Sequence, residues 1–200
     1  MTRHCAIALS LLAAGVTPPR AAAQWSLGLD LGASRFSGTA RDTSAAGPAT
    51  AGPGHPTTLA LRVDRRSGSA GVGVSVLYAS VGVTEENGDF AVVQKDLLTF
   101  VEVAPEVSWR FARTDSGAAL RLHVGPVADV WHPDGSTSRT LIGARGALSV
   151  EWPIASRLAG SVHAGAVVTG AVFEEDDLPA GFQRRATWRR SASVGLRYRL

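Results

Sequence analysis

In the segment WSLGLDLGA, residues 25–33, apolar residues alternate at every step with polar residues or glycine, and this pattern indicates the fold of the chain. Trp25, Leu27 and Leu29 fall on one face of an extended strand, whereas Gly28 and Asp30 fall on the other. Successive side chains of a β-strand point to opposite faces, so strict alternation predicts a strand with one apolar and one polar face. The three- and four-residue spacing of an amphipathic helix does not persist anywhere after this point.

Seven further stretches repeat the pattern, at residues 57–64, 69–78, 97–111, 120–130, 140–152, 158–168 and 193–200. Short turns rich in Gly, Pro, Asp or Ser join some of these strands, at residues 65–68, 112–117 and 153–156. The remaining connections are mostly longer, at residues 37–56, 84–96, 132–138 and 173–185. Short turns that alternate with longer loops are typical of membrane barrels. The sequence therefore predicts an all-β fold, an eight-stranded antiparallel up-and-down transmembrane β-barrel.

Residues 1–23 have the layout of a secretory signal peptide, so the barrel domain is expected to span residues 24–200. Arg3 precedes an apolar run at residues 6–16, and three alanines end the segment. That run is too short to cross a bilayer as a helix. Its removal takes away Cys5, the only cysteine, and with it any disulfide or thiolate metal site. It also takes away two of the 20 basic residues and leaves 18 against 17 acidic ones, a balance that gives no support to a nucleic-acid partner.

The polar faces carry equal numbers of positive and negative side chains, which suits a packed barrel interior in which each charge has a partner. A soluble β-sandwich with charged faces in water is the alternative, but its outer faces would carry more lysine than the single Lys95 of this chain. The predicted interior charge network consists of Asp30, Arg62, Asp64, Glu102, Glu106, Arg110, Arg121, Asp129, Arg145, Glu151, Arg197 and Arg199.

Ten of the thirteen aromatic residues fall near the ends of the predicted strands, which indicates the two interfacial girdles of a membrane barrel. At the short-turn end the interfacial aromatics are Trp25, Trp109, Phe111, Trp152 and Tyr198. At the long-loop end the corresponding residues are Phe36, Tyr78, Trp131, Phe173 and Trp188. Two prolines fall within strands, and because proline cannot donate to the ladder, Pro105 and Pro126 are expected at a bulge or an unpaired position.

The final strand, SVGLRYRL at residues 193–200, carries a terminal pattern of Gly195, Tyr198 and Leu200. With the export signal and the eight alternating strands, it resembles the small bacterial outer-membrane β-barrels of the eight-stranded OmpX- and OmpW-like class. The usual last residue of that pattern is Phe or Trp, so Leu200 departs from it. The resemblance implies localisation in the cell outer membrane, contact with its lipid and lipopolysaccharide, and insertion by the barrel-assembly machinery, with Gly195, Tyr198 and Leu200 as the assembly signal.

Few residues suggest catalysis or ligand binding, and no enzyme activity, metal or cofactor is expected. Ser161 and His163 share a strand face, as a lipid A-modifying barrel enzyme would require, but their phase points them into the lumen. The acidic run at residues 174–177 lacks the alternating spacing of a calcium loop. Arg184, Arg185, Arg189 and Arg190 are expected near the outer rim, where lipopolysaccharide phosphates lie. The sequence thus favours a structural or surface-interaction role, with a narrow channel or carrier, or less readily a lipid A-modifying enzyme, as alternatives.

Overall fold

A computed structural model describes residues 24–37, 40–42, 49–87, 90–133, 137–172 and 182–200. The expected signal peptide at residues 1–23, Phe173 and the acidic run at residues 174–177 lie outside the described residues. The described part of the chain forms eleven β-strands and no helix: β1 Gln24–Phe36, β2 Ala40–Asp42, β3 Ala49–Pro53, β4 Thr57–Ser67, β5 Ala70–Asn87, β6 Phe90–Arg113, β7 Ala119–Pro133, β8 Arg139–Pro153, β9 Leu158–Thr169, β10 Phe182–Arg184 and β11 Thr187–Arg199.

Eight of these strands close into one antiparallel barrel, as the alternation predicts. Each long strand pairs with its neighbours in the order β1, β4, β5, β6, β7, β8, β9 and β11. The ring closes because β11 pairs with β1 over eleven positions, from Ser26 opposite Arg199 to Phe36 opposite Arg189. Closure leaves no free edge among these strands, since every one has a hydrogen-bonded partner on both sides. The fold class predicted from the sequence is confirmed.

The sheet extends further at the long-loop end than the sequence indicates. Residues 84–96 were expected to form a polar loop, but the ladder between β5 and β6 continues to Asn87 opposite Phe90. The short strand β3 pairs with the end of β5, and β2 joins β3 to β10. A polar composition does not exclude strand pairing, which uses backbone groups alone.

Two turn glycines adopt the left-handed conformation that the opposite, short-turn end requires. Gly68, in the two-residue turn between β4 and β5, has a φ of 61°, and Gly117, between β6 and β7, has a φ of 88°. Glycine reaches this region without the steric cost that a Cβ atom imposes. Glycine at these two positions therefore allows both turns to form without backbone strain.

The two strand prolines lie in one gap in the ladder between β6 and β7. Pairing runs to Val103 opposite Ala128 and resumes at Val107 opposite Val124, and the constant register sets Pro105 directly opposite Pro126. Neither proline has an N–H group to donate, so one local interruption accommodates both. A Cβ at the adjacent Gly125 would overlap the carbonyl oxygen of Pro105, so the two strands approach closely there.

Candidate functional site

The inner faces of the eight strands enclose a lumen that side chains fill in layers. The twelve charged residues predicted for the interior lie on these faces or at the short-turn mouth. Three of them, Arg110, Asp129 and Arg199, have no oppositely charged group within 4 Å in the described part of the chain. The nine that form ion pairs are Asp30, Arg62, Asp64, Glu102, Glu106, Arg121, Arg145, Glu151 and Arg197.

The layer nearest the short turns is a cluster of three arginines around two carboxylates, here called the lower cluster: Arg66, Arg121, Arg197, Asp64 and Glu151. Arg66 donates two hydrogen bonds to Glu151, of 2.6 and 2.7 Å, and one of 2.6 Å to Asp64. Arg197 contacts Asp64, and both Arg197 and Arg121 lie 3.5 Å from Glu151. Each carboxylate is thus shared between guanidinium groups, which satisfies its acceptor positions in a buried setting.

The next layer, here called the middle cluster, is formed by Asp30, Arg62, Glu106 and Arg145. The Arg62 Nε donates to Asp30 Oδ2 at 2.5 Å, and Arg62 Nη1 lies 3.3 Å from both Glu106 oxygens. Arg145 lies 3.6 Å from Glu106 and 3.6 Å from Glu102, and donates to the hydroxyl of Ser75 at 2.5 Å. Since all four charged groups are buried, each depends on the others for the interactions that water would otherwise supply.

A hydrogen-bonded chain of Ser149, His123 and Glu106 runs into the middle cluster. His123 Nε2 lies 2.9 Å from the Ser149 hydroxyl, and His123 Nδ1 lies 3.0 Å from Glu106. This order of groups is that of a serine hydrolase triad, yet Ser149 is only 1% exposed. The predicted pair Ser161 and His163 is also buried in the lumen, with the His163 ring 5.7 Å from that of His123. These histidines and serines therefore belong to the interior packing.

The uppermost layer, at the long-loop end, is apolar and is here called the upper aromatic cluster. Phe36, Phe100 and Trp131 pack edge to face or tilted, with ring centroids 4.6–6.0 Å apart. Arg189 contacts Glu102, and its guanidinium carbon lies 5.2 Å from the centre of the Phe100 ring. The buried aliphatic members of the same layer are Ala60, Leu77, Ala79, Val81, Leu98 and Val172.

Two predictions about the long-loop end are wrong. Phe36 and Trp131 were expected in an interfacial girdle, but both turn inward and are buried. Arg189 was expected at the outer rim, but it is also buried, against Glu102. In each case the height along the barrel was inferred correctly and the face was not, because the residue lies just beyond a predicted strand and was given no strand phase.

The same omission hid Arg66 and Arg189 from the predicted interior network. Asp64 faces the lumen, so alternation carried two residues further along β4 turns Arg66 inward as well. Arg197 faces the lumen, and alternation carried back along β11 turns Arg189 inward. The signal was present in the sequence, but Arg66 had been assigned to a turn, and Arg189 to neither a strand nor a loop.

The outer face of the barrel is an apolar belt with aromatic residues at its short-turn end. The five predicted interfacial aromatics Trp25, Trp109, Phe111, Trp152 and Tyr198 are exposed and turn outward. Tyr78 and Trp188 are exposed nearer the long loops. Leucine and valine side chains occupy the outward positions between the two levels, with 38–60% of their surface exposed. Such a surface is stable in contact with lipid and costly in water.

The three residues of the terminal pattern, Gly195, Tyr198 and Leu200, differ in their local surroundings. Gly195 faces Asp30 across the seam between β11 and β1, and a Cβ there would overlap the Asp30 carboxylate. Tyr198 and Leu200 are exposed on the outer side. Glycine at position 195 is therefore required by the packing of the middle cluster, whatever else recognises it.

Within the described residues, no helix is long and apolar enough to cross a membrane. The same residues hold no group of three or more His, Cys, Asp or Glu side chains arranged to bind a metal ion.

Comparison with solved structures identifies the fold class. The barrel is similar to Neisserial surface protein A, with a TM-score of 0.60 and 12% identity over 87% of this chain and 96% of that chain. It is also similar to the outer membrane protein OprG of Pseudomonas aeruginosa, with a TM-score of 0.54 and 10% identity over 89% of this chain and 96% of that chain. No family model matches, and no curated protein matches. The chain has the fold of the small eight-stranded β-barrels of bacterial outer membranes.

Proposed function

We propose that this chain is an outer-membrane β-barrel with a structural or surface-interaction role, and not a general diffusion channel. The observation that carries the proposal is the filled lumen: two layers of ion pairs lie beneath an apolar aromatic layer. An eight-stranded barrel has an interior only wide enough for side chains. Contact with other molecules is then left to the outer face and the two rims.

A narrow carrier of small apolar molecules is the first alternative, and the lumen argues against it. Such a carrier needs a continuous apolar path, whereas the lower and middle clusters set charged groups across most of the barrel's height. Entry of an apolar solute is unfavourable because it would separate buried ions from their partners, which costs free energy.

An enzyme that modifies lipid A is the second alternative, and burial argues against it. The serine of such an enzyme must be reached by a lipid substrate, yet Ser149 and Ser161 are both buried on the inner face. Neither Neisserial surface protein A nor OprG is described by its name as an enzyme. The burial of both candidate serines favours a non-enzymatic role.

Outer-leaflet lipopolysaccharide is the partner we propose for the upper rim. Arg35 and Arg190 are opposite each other in the register of β1 and β11, and both are exposed on the outer face. Like charges directly opposite each other destabilise a strand pair, and an anion bound between them offsets their repulsion. Trp188 is exposed nearby, as expected for an interfacial anchor. Of the four arginines predicted for this rim, Arg185 and Arg190 are exposed, whereas Arg189 is buried and the side chain of Arg184 lies outside the described residues.

For assembly we propose that the terminal pattern is read by the barrel-assembly machinery. The exposed Tyr198 and Leu200 present the aromatic and apolar groups of that pattern on the strand that closes the barrel. An extended peptide with alternate exposed side chains is suited to recognition by strand addition.

The proposed localisation predicts three linked results. The protein should fractionate with the outer membrane, migrate faster on a gel before heating than after it, and show no steady conductance in planar bilayers. The gel shift reflects a barrel that stays closed in detergent, and the lack of conductance reflects the filled lumen. Recovery in the soluble periplasmic fraction would contradict the membrane assignment, and a steady open conductance would contradict the filled lumen.

The double variant R35Q/R190Q should bind purified lipopolysaccharide about tenfold more weakly, since two charge-assisted contacts to phosphate are lost. Isothermal titration of the detergent-purified barrel measures this. Arg65→Gln is the control, because Arg65 is exposed at the short-turn end, beside Trp25. Unchanged binding by R35Q/R190Q, or an equal loss in the control, would rule out a phosphate contact at this rim.

A further inference from the structure

The short-turn mouth of the barrel contains a cavity of about 410 Å³ whose charged lining is almost entirely cationic. Its charged residues are Arg66, Arg110, Arg113, Arg121, Arg199 and a single carboxylate, Glu151. We propose that this cavity is a binding site for a phosphate group, carried by a free anion or by a small phosphate ester. The site is distinct from the outer-rim arginines, which lie at the other end of the barrel.

The one carboxylate in the lining is already committed to the lower cluster. Glu151 accepts two hydrogen bonds from Arg66 and lies 3.5 Å from both Arg121 and Arg197. Glu151 therefore cannot neutralise the arginines that remain. Among the described residues no carboxylate lies within 4 Å of Arg110, Arg113 or Arg199, so three guanidinium groups reach the cavity without a protein counter-charge.

Strand register brings two of the cations together. Arg110 on β6 and Arg121 on β7 are direct cross-strand partners. Like charges opposite each other in an antiparallel pair destabilise it, unless an anion or solvent offsets their repulsion. Arg121 is also buried, with its Nε atom lacking a hydrogen bond and lying 3.5 Å from Glu151. A buried guanidinium group with an N–H that makes no hydrogen bond within the protein can donate to a bound anion.

A bulge adds the third cation. The register between β6 and β7 shifts between Arg110 and Ala112, which leaves Phe111 unpaired with β7. Residues three apart on a regular strand face opposite sides, but both Arg110 and Arg113 line the cavity. A bulge that re-aims a side chain in this way is a common device next to binding sites.

The chemistry of the lining specifies phosphate well. A guanidinium group presents parallel N–H donors that match two oxygens of a phosphate, and several such groups can surround its remaining oxygens. The cavity volume accommodates a phosphate ester as well as inorganic phosphate, since small-ligand sites begin at about 300 Å³. The ester could be a lipid headgroup of the inner leaflet or a free periplasmic solute, and this assignment of the short-turn end to the periplasm rests on the proposed function.

The test uses the full barrel in nanodiscs of phosphatidylcholine, titrated with inorganic phosphate at fixed ionic strength and followed by ³¹P NMR line broadening. Saturable binding of one phosphate per barrel is expected. The variant R110Q/R113Q should weaken binding about tenfold or more, because two charge-assisted contacts are removed. Neither arginine has an ion-pair partner in the part of the chain that the structure describes, so the variant should still fold, which the heat-dependent gel shift verifies.

The matched control is R65Q/R157Q, which removes the same charge from the same end of the barrel. Arg65 and Arg157 do not line the cavity, so this variant should bind phosphate as the unaltered chain does. Absence of saturable binding, or an equal loss in both double variants, would overturn the proposal. A second series replaces part of the phosphatidylcholine with phosphatidylglycerol: a loss of phosphate affinity identifies the lipid headgroup as the occupant, and unchanged affinity identifies a free anion. Because the purified protein is used, failure here is separate from failure of the outer-membrane assignment.

Discussion

Replacement of Arg62 by alanine is expected to lower the free energy of unfolding by about 3–5 kcal/mol. Arg62 is buried and joins the Asp30 and Glu106 carboxylates, so its removal leaves two buried anions with fewer partners. A buried charge without compensation costs far more than a pair contributes, because water cannot re-enter a packed interior. Urea unfolding of the barrel in lipid vesicles, followed by tryptophan fluorescence, measures the change.

Arg65→Ala is the control for this variant, since Arg65 is an outward-facing arginine three residues further along the same strand. Its guanidinium carbon lies 6.0 Å from the Trp25 ring, an exposed contact that contributes about 0.5–1 kcal/mol. The triple variant D30N/R62M/E106Q should recover much of the loss, because it removes the charged partners along with the arginine. If Arg62→Ala is no less stable than Arg65→Ala, the middle cluster does not stabilise the barrel.

The second large effect is expected at the other end of the lumen. Trp131→Ala should lower the free energy of unfolding by about 3–5 kcal/mol, because it leaves a large void in the upper aromatic cluster. Trp131 is 1% exposed and packs against both Phe36 and Phe100. The same urea titration in vesicles measures the loss.

Trp188→Ala provides the comparison, because Trp188 is at the same end of the barrel but is 51% exposed on the outer face. Its loss creates no interior void, so a smaller effect is expected. Planar-bilayer recordings of Trp131→Ala should still show no steady conductance, since the lower and middle clusters continue to fill the barrel. Equal destabilisation by the two tryptophan variants would contradict the inward assignment of Trp131, and a new conductance would show that the aromatic layer alone closes the lumen.

The predictable part of the fold is the part that depends on alternation. The outward set beginning with Trp25 and the inward set beginning with Ser26 follow from a period of two, once one face is apolar. Pro105 and Pro126 were expected at unpaired positions, and both occupy a single interruption of the ladder. Alternation is local, so any residue whose strand membership is known can be assigned to a face.

The errors arose where the strands continue into segments of loop-like composition. Residues 84–96 are polar, Arg66 follows another arginine near a turn, and Arg189 is in a basic run close to the last long loop. Composition suggested a loop at residues 84–96 and a turn at Arg66, and it placed Arg189 at the outer rim before the last predicted strand, but backbone pairing extends the strands through all three regions. Pairing depends on a partner strand that is distant in sequence, which no local pattern reveals.

The order of side chains along the strands is enough to predict the eight strands, the apolar outer face and the inward direction of most charges, because these depend only on alternation along an extended chain. Which charges form ion pairs depends on how the strands are arranged in the closed barrel. Asp64 and Arg197 are 133 residues apart and touch because β1 lies between their two strands and closes the ring. In the closed barrel the arginines that line the cavity lie at the short-turn end and the buried aromatic rings lie at the long-loop end. The equal numbers of positive and negative residues in the sequence do not reveal this uneven distribution. The register of a closed sheet is a property of all eight strands together, and it is therefore determined only when the barrel forms.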